Sequence, residues 1–344
     1  MSATRERVTM KMIAEEAGVT LTTVSRILNN KGGKYAEGTK AKIFEIADRV
    51  KYRPNALVHG MQTGRTSTAG VMVPVSTPFY AQVVTGIHHT FLENGTIMLL
   101  GWNPLIGDHR EEATERRIIH QLVDRRVDGV ILRPSCEEFE RPYFEEIWER
   151  DVPLILIDRE MSNVTTDFVG TDDEAGGRMA TEYLISQGHR QLLFVGSSER
   201  VSTSRHREDG FRKVLSETVN ACGRSLDTSQ PDLDDAIRRL FEQDAPPTAV
   251  FCYNDTTAET TAKVLTRAGL CIPEDISLMG FGNEPSGNCP VALTTFDQHP
   301  QLIGKTAAEM YLERLEHGTD NGIRRERIPP DIIIRASTCP RAAS

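Results

Sequence analysis

From Val8 the chain reads VTMKMIAEEAGVTLTTVSRILNN, in which apolar side chains recur three and four residues apart with polar positions between them. That period predicts helix. Thr9 and Thr20 each stand directly before such a stretch, and a Thr hydroxyl accepts an unpaired amide of a first turn. Two short helices follow, with Met10, Ile13, Ala14 and Ala17 on the inner side of the first and Val24, Ile27 and Leu28 on that of the second. Gly18 supplies the turn between them, where a β-carbon would crowd the approach. Ile43, Ile46, Ala47 and Val50 form a third amphipathic stretch that closes a three-helix core. This is the layout of a helix-turn-helix.

Such a core leaves one face of the second helix free, carrying Leu21, Thr22, Ser25, Arg26 and Asn29. A short polar face with one Arg suits a helix laid in the major groove, where Arg bonds a guanine edge and hydroxyls hold phosphates. A helical hairpin with a merely solvated face is the alternative. In the next segment, KYRPNALVHGMQTGRTST, Pro54 can open a helix, while Gly60 and Gly64 weaken or end one. So short a segment reads as a conditional helix or a linker.

From residue 69 the pattern changes to apolar runs with helix-period segments between them: AGVMVPV, TIMLLGW, GVILRP, LILID, DFVGTD, QLLFVGS, TAVFCYND, ISLMGFG and DIIIR. Strand alternating with helix over some 250 residues predicts an α/β core of parallel sheets covered on both faces. Two smaller sheets fit usual domain sizes better than one of nine strands. Ligands of such sheets bind beyond the carboxyl ends of the strands. Those ends supply Ser76, Thr77, Phe79, Tyr80, Trp102, Asn103, Asp158 and Arg159, then Thr171, Asp172, the segment 197–207, Asn254, Asp255, Gly282 and Asn283. Hydrogen-bonding groups with a few aromatic rings suit a sugar-like polyol.

Charge sharpens the division. Residues 1–65 carry a balance of +6 and the remainder −15, within a total of −9 for the 344 residues. A basic head of this size is what a DNA-binding module needs to displace counterions. With 39% hydrophobic residues, the chain can bury more than one core, and no apolar stretch approaches a membrane span or a secretory signal. A cytoplasmic location is expected. The six cysteines form no C-x-x-C pair, so neither a metal site nor a redox dithiol is implied. Nucleotide-binding, metalloprotease and serine-hydrolase motifs are absent, and Asp158 with Asp172 lacks a nucleophile or metal partner, so binding is favoured over catalysis and no cofactor is expected. The alternatives are a sugar-binding protein or an α/β enzyme without a regulatory role.

The segments VTMKMIAEEAGVTLTTVSRILNN and YRPNALVHGMQTGRT resemble the headpiece and hinge of the lactose-repressor (LacI/GalR) family of bacterial transcription regulators. Blocks from STPFYAQVVTGIHHTF to LTTFDQHPQLIGKTAAEMYLERL resemble that family's periplasmic-binding-protein-like core. The resemblance implies a headpiece over 1–53, a hinge helix or linker over 54–66, and an effector-binding and dimerisation core over 67–340. The first lobe would take about 67–165 and 296–324, the second about 166–295 and 325–340. It implies Leu21, Thr22 and Arg26 as base readers, Thr20, Thr23 and Ser25 as phosphate holders, and Asn29 and Asn55 as backbone contacts. Met61 stands in the place of a leucine that wedges into the minor groove. Effector contacts would come from Phe79, Asp158, Arg207, Asn254, Asp255 and Asn283, with GFGN at 280–283 lacking a carboxylate usual in the family. The expected partners are a pseudo-palindromic duplex operator, a sugar or sugar derivative and a second copy of the chain, with the effector acting as either inducer or co-repressor.

Overall fold

The computed structural model describes residues 8–28, 35–52, 64–102, 110–135, 142–197, 201–228, 232–285, 289–318 and 322–341. The chain forms two compact units, Met1–Thr66 and Ser67–Ser344.

The first unit contains α1 (Met10–Ala17), α2 (Leu21–Leu28) and α3 (Glu37–Arg49). Thr9 and Thr20 cap the first two as expected: Met12 donates its amide to the Thr9 hydroxyl at 3.5 Å, and Thr23 donates to that of Thr20 at 3.2 Å. Gly18 takes a left-handed conformation (φ 71°) that glycine adopts without strain; the expected crowding is absent, since nothing lies within 4 Å of where a β-carbon would stand, and the backbone conformation alone favours glycine. Ile13, Ala14, Ala17, Val24, Ile27, Ile43, Ile46 and Ala47 make the core. Ala36, at the start of α3, offers no capping side chain, yet the helix forms because its apolar stripe is buried.

The second unit holds two parallel sheets. In the first, β1 (Thr68–Met72), β2 (Ile97–Gly101), β3 (Gly129–Leu132), β4 (Leu154–Ile157), β5 (Asp167–Thr171) and β11 (Arg325–Ile328) are ordered β11-β5-β4-β3-β1-β2. In the second, β6 (Gln191–Gly196), β7 (Cys222–Asp227), β8 (Ala249–Cys252) and β9 (Ser277–Met279) are ordered β7-β6-β8-β9. A ribbon of β10 (Thr295–Asp297) and β12 (Asp331–Ile333) pairs antiparallel. Each larger sheet carries an apolar cluster on both faces, which is why strands such as β3, β4 and β8 are wholly buried and read as unbroken apolar runs.

The lobe boundary expected at 165/166 and again at 324/325 falls one strand too early. Leu156 pairs with Phe168, and Arg325 with Phe168 from the other side, so β5 and β11 extend the first sheet before the chain crosses over. Burial of all five residues of β5 makes it a central strand of that sheet.

Two helix pairs fix the framework of the site. In α4 (Pro78–Glu93) and α11 (Pro300–His317), added β-carbons at Gly86 and Gly304 would stand 2.2 and 2.0 Å from the Gln301 and Val83 carbonyl oxygens. In α7 (Asp173–Ser186) and α8 (Ser202–Glu217), those at Gly177 and Gly210 would stand 2.1 and 2.2 Å from the Arg207 and Glu174 oxygens. Only hydrogen fits at these crossings, so the helix backbones are in direct contact.

Candidate functional site

In the first unit, the second helix leaves its outer face open. Thr20, Leu21, Thr22 and Arg26 are exposed, and Thr23 and Ser25 are half-buried, while Val24 and Ile27 face the core. Thr20 Oγ1 caps the helix and lies 2.9 Å from Thr23 Oγ1, so the two hydroxyls share one corner at the amino end. That end carries the helix's unpaired amides and partial positive charge, a favourable place for a phosphate. Leu21, 50% exposed and outside the headpiece core cluster, stands at the same end. Asn29, Asn55 and Met61 lie outside the described residues, as does most of the segment 54–66.

In the second unit, the carboxyl ends of the first sheet face elements of the second across a cavity of about 270 Å³. That volume is near the lower end of small-molecule sites, roughly 300–1,000 Å³. Phe79, Asp158, Arg207 and Asn254 line it. Phe79 also belongs to the core, and its ring meets Tyr80 edge-on with centroids 5.0 Å apart. Asn254 does two jobs: its side-chain oxygen caps α10 (Asp255–Arg267), accepting the Thr257 amide at 2.7 Å, while the residue also lines the cavity.

Asp158 follows β4 with φ 65°, a conformation that turns the chain at the sheet edge. Its carboxylate accepts the Tyr80 hydroxyl at 2.6 Å, and the same hydroxyl accepts from Arg133 Nε at 3.0 Å. Burial pushes the Tyr80 hydroxyl well above its ordinary range, so it stays protonated. Arg207 is held on every side. Its Nε donates to Asp173 at 2.8 Å, one terminal nitrogen to Gln298 at 3.1 Å and the other to the Tyr253 carbonyl, while Phe281 lies 3.6 Å beneath its guanidinium carbon. Burial, outweighing the attraction of Arg207, pushes the Asp173 carboxyl up to about 7. Gln298 accepts from Thr171 as well, at 3.0 Å, so its oxygen is committed.

Two expected contacts stand outside the lining. Asp255 is 3% exposed and braces the turn after β9, accepting the Thr295 hydroxyl at 2.7 Å and the Glu284 amide at 2.8 Å. Asn283, with φ 52°, turns outward and accepts from Arg335 at 2.6 Å. Glu284 lines the cavity instead. Burial and Asp255 raise its carboxyl, which accepts from the Phe79 amide and the Thr77 hydroxyl at the start of α4. Asp172 likewise is a cap, accepting the Ala175 amide at 3.1 Å.

Arg133, Tyr253, Phe281, Glu284 and Gln298 were not named from the sequence. Arg133 was within reach, since it ends the third apolar run as Asp158 ends the fourth. Among the described residues no cluster of three or more His, Cys, Asp or Glu is placed to hold a metal ion, and no helix is long and apolar enough to cross a membrane.

Comparison with known proteins gives one consistent result. Residues 9–55 match the bacterial regulatory proteins of the lacI family, and residues 181–338 match a periplasmic binding protein-like domain. The chain is 30% identical over 338 residues to a protein named HTH-type transcriptional repressor PurR from Vibrio atlanticus, covering 96% of this chain and 98% of that one. A repressor of the same name from Photobacterium profundum is 29% identical over 339 residues, with the same coverage. In fold, the chain matches the lac repressor dimer bound to operator and the anti-inducer ONPF, with a TM-score of 0.77 at 23% identity over 97% of this chain and 100% of that one. A lacI-family transcriptional regulator from Enterococcus faecalis, solved with bound ribose, matches with a TM-score of 0.65 at 27% identity, over 80% of this chain and all of its own. Headpiece, core and full-length relatives thus agree, and the chain belongs to the lacI family of bacterial regulatory proteins, as a DNA-binding transcriptional repressor with an effector-binding domain and not an enzyme.

Proposed function

We propose that this repressor binds a pseudo-palindromic operator as a homodimer, and that a small sugar-like effector in the cavity of its second unit controls how tightly it binds. The headpiece spans 1–53, the hinge 54–66 and the effector core 67–340. Leu21, Thr22 and Arg26 read bases, Thr20, Thr23 and Ser25 hold phosphates, and Asn29, Asn55 and Met61 add backbone and minor-groove contacts. One observation carries the effector reading: a cavity of about 270 Å³ between two sheets, ringed by Phe79, Tyr80 and Phe281 and by Asp158, Arg207 and Asn254. Rings suit the apolar face of a sugar, and paired carboxylate, amide and guanidinium suit its hydroxyls. The ribose held by the Enterococcus faecalis relative supports the carbohydrate class.

Coupling needs only that the effector prefer one closure state of the two lobes. A difference of about 1–3 kcal/mol changes operator affinity about 5–150-fold. The test is a gel shift on a labelled duplex selected from random sequence, run with and without a panel of sugars. A shift that one sugar strengthens or relieves is expected. Binding that responds to none of them ends the carbohydrate reading, and no shift at all ends the operator reading.

A further inference from the structure

Arg133 and Arg159 follow the neighbouring parallel strands β3 and β4, so both guanidinia rise from the same edge of the first sheet into the cavity. Arg133 is 4% exposed, and its side chain's one hydrogen bond among the described residues is from Nε to the Tyr80 hydroxyl. Its two terminal nitrogens are therefore left for whatever occupies the cavity. The Arg159 side chain makes a single long bond among the described residues, to the Ser135 carbonyl at 3.4 Å, and its Nε is buried without a hydrogen-bond partner among them. Burying a guanidinium donor unsatisfied is costly, and burying two like charges together is costlier.

Among the described residues, this end of the cavity is lined by two guanidinium groups and one carboxylate. Arg207 is matched by Asp173, and Glu284 sits across the cleft at the start of α4. Among the lining residues, Arg133 and Arg159 have the carboxylate of Asp158 beside them, and it already accepts the Tyr80 hydroxyl. Glu115, buried behind the lining, accepts the Ser135 amide at 2.9 Å and adds a second negative charge near Arg133. Burial, and after it the charge of Arg133, lowers the Arg159 pKa, whereas Tyr80, Asp158 and Glu115 raise that of Arg133 against its own burial, so Arg159 is the less compensated of the two cations.

Building on the effector reading above, we propose that the effector is a small polyol bearing one anionic group, a carboxylate or a phosphate, and that Arg133 and Arg159 bind that group. Two planar forks offer the geometry that carboxylate and phosphate oxygens match. The hydroxyls of the same molecule then reach Asp158, Asn254 and Arg207, and its carbon skeleton lies against Phe79 and Phe281. The volume limits the ligand to about one monosaccharide unit.

The test is isothermal titration of the full-length protein with matched pairs that differ in charge: D-galacturonate against D-galactose, D-gluconate against D-glucose, and D-glucose 6-phosphate against D-glucose. In at least one pair the acid or the phosphate is expected to bind about 10–100-fold more tightly than its neutral partner, the range for charged hydrogen bonds of about 1.5–3 kcal/mol. The carboxylate and phosphate arms separate the two sources of charge. Arg133→Gln removes the preference and Arg133→Lys keeps most of it, so a fold defect and a lost charge are told apart. A neutral sugar that binds as tightly as its acid and shifts the operator complex overturns the anionic inference while leaving the carbohydrate reading standing. Absence of binding by every member overturns both.

Discussion

Arg207 and Asp173 form an ion pair in which Nε and a terminal nitrogen lie 2.8 and 2.7 Å from one carboxylate oxygen, with the two side chains only 4% and 3% exposed. They come from the facing helices α8 and α7, so the pair ties those helices together behind the cavity. Breaking a buried pair from one side strands the remaining charge, at a cost of about 3–5 kcal/mol. Asp173→Ala is therefore expected to lower stability to urea by that amount. Asp173→Asn, whose amide oxygen still accepts, should lose less. A loss under about 1 kcal/mol for the Ala variant would mean that water satisfies Arg207.

Arg207 itself is held by Asp173, Gln298 and the Tyr253 carbonyl before any ligand arrives. It is thus preset to donate its remaining N–H groups into the cavity. Arg207→Ala is expected to abolish the effector's influence on the operator complex, measured by gel shift over a ligand titration. An unchanged response would remove Arg207 from the site.

The direct contact of α7 with α8 sets where Arg207 stands. A β-carbon at Gly177 would lie 2.1 Å from the Arg207 carbonyl oxygen, which is backbone and cannot swing aside. Gly177→Ala must push the helices apart, and overpacking of this kind costs about 1–3 kcal/mol. The displacement carries the guanidinium with it. Weakened effector binding by titration calorimetry is expected beside the lower melting temperature, and an unaltered affinity would show that the site is insulated from the helix contact.

On the headpiece, Arg26 is exposed on the last turn of α2 and has no structural duty to the core. Arg26→Ala is expected to cost about 1–3 kcal/mol of operator affinity and to relax one base preference in a set of single-substitution duplexes. Equal weakening on every duplex, with a salt slope reduced by about one, would make it a phosphate contact instead.

What could be read from the sequence follows what sequence encodes locally. Thr9, Thr20 and Gly18 announced caps and a turn because those jobs depend on one residue and its neighbours. Nine of the strands were visible as apolar runs, seven of them because both faces of the sheets are covered, while β2 at a sheet edge and β12 in the ribbon keep apolar runs although they are partly open. The strands β7 and β11 lie at sheet edges, with half or more of their positions open to solvent, and CGRSLD and RERI carry no such run. In the cavity, Asp158 and Arg207 were found at strand ends and in a recognisable block. Gln298 enters from the crossing segment beyond β10, and only the packed fold brings it to Thr171 and Arg207. Asn283 and Glu284 exchange roles because a backbone with φ 135° at Gly282 and 52° at Asn283 turns one outward and the next inward.

His189 lies 2% exposed between the second sheet and the carboxyl-terminal segment, with Nε2 3.1 Å from the Cys339 carbonyl and Nδ1 3.0 Å from the Thr248 hydroxyl. A carbonyl only accepts, so Nε2 carries the proton of the neutral ring and Nδ1 accepts from Thr248. Burial lowers the pKa of His189 below 6.5, the value it regains in the unfolded chain, and the pull of the Cys339 carbonyl does not offset this. Between the folded value and 6.5 the unfolded chain binds the proton more tightly, so stability rises with pH through that window and is lost as the pH falls through it. The His189 contribution to the melting temperature is accordingly expected to fall as the buffer is taken below about 6.5, against the opposite slope of the Asp173, Asp255 and Glu284 carboxyls, whose raised pKa values favour the folded state as the pH falls. His206, lowered chiefly by burial too, adds to the His189 slope. His189→Gln has no titrating ring and should lose the His189 part of the dependence. A variant whose melting temperature varies with pH just as that of the parent does would show that His189 is protonated in the folded state at no cost.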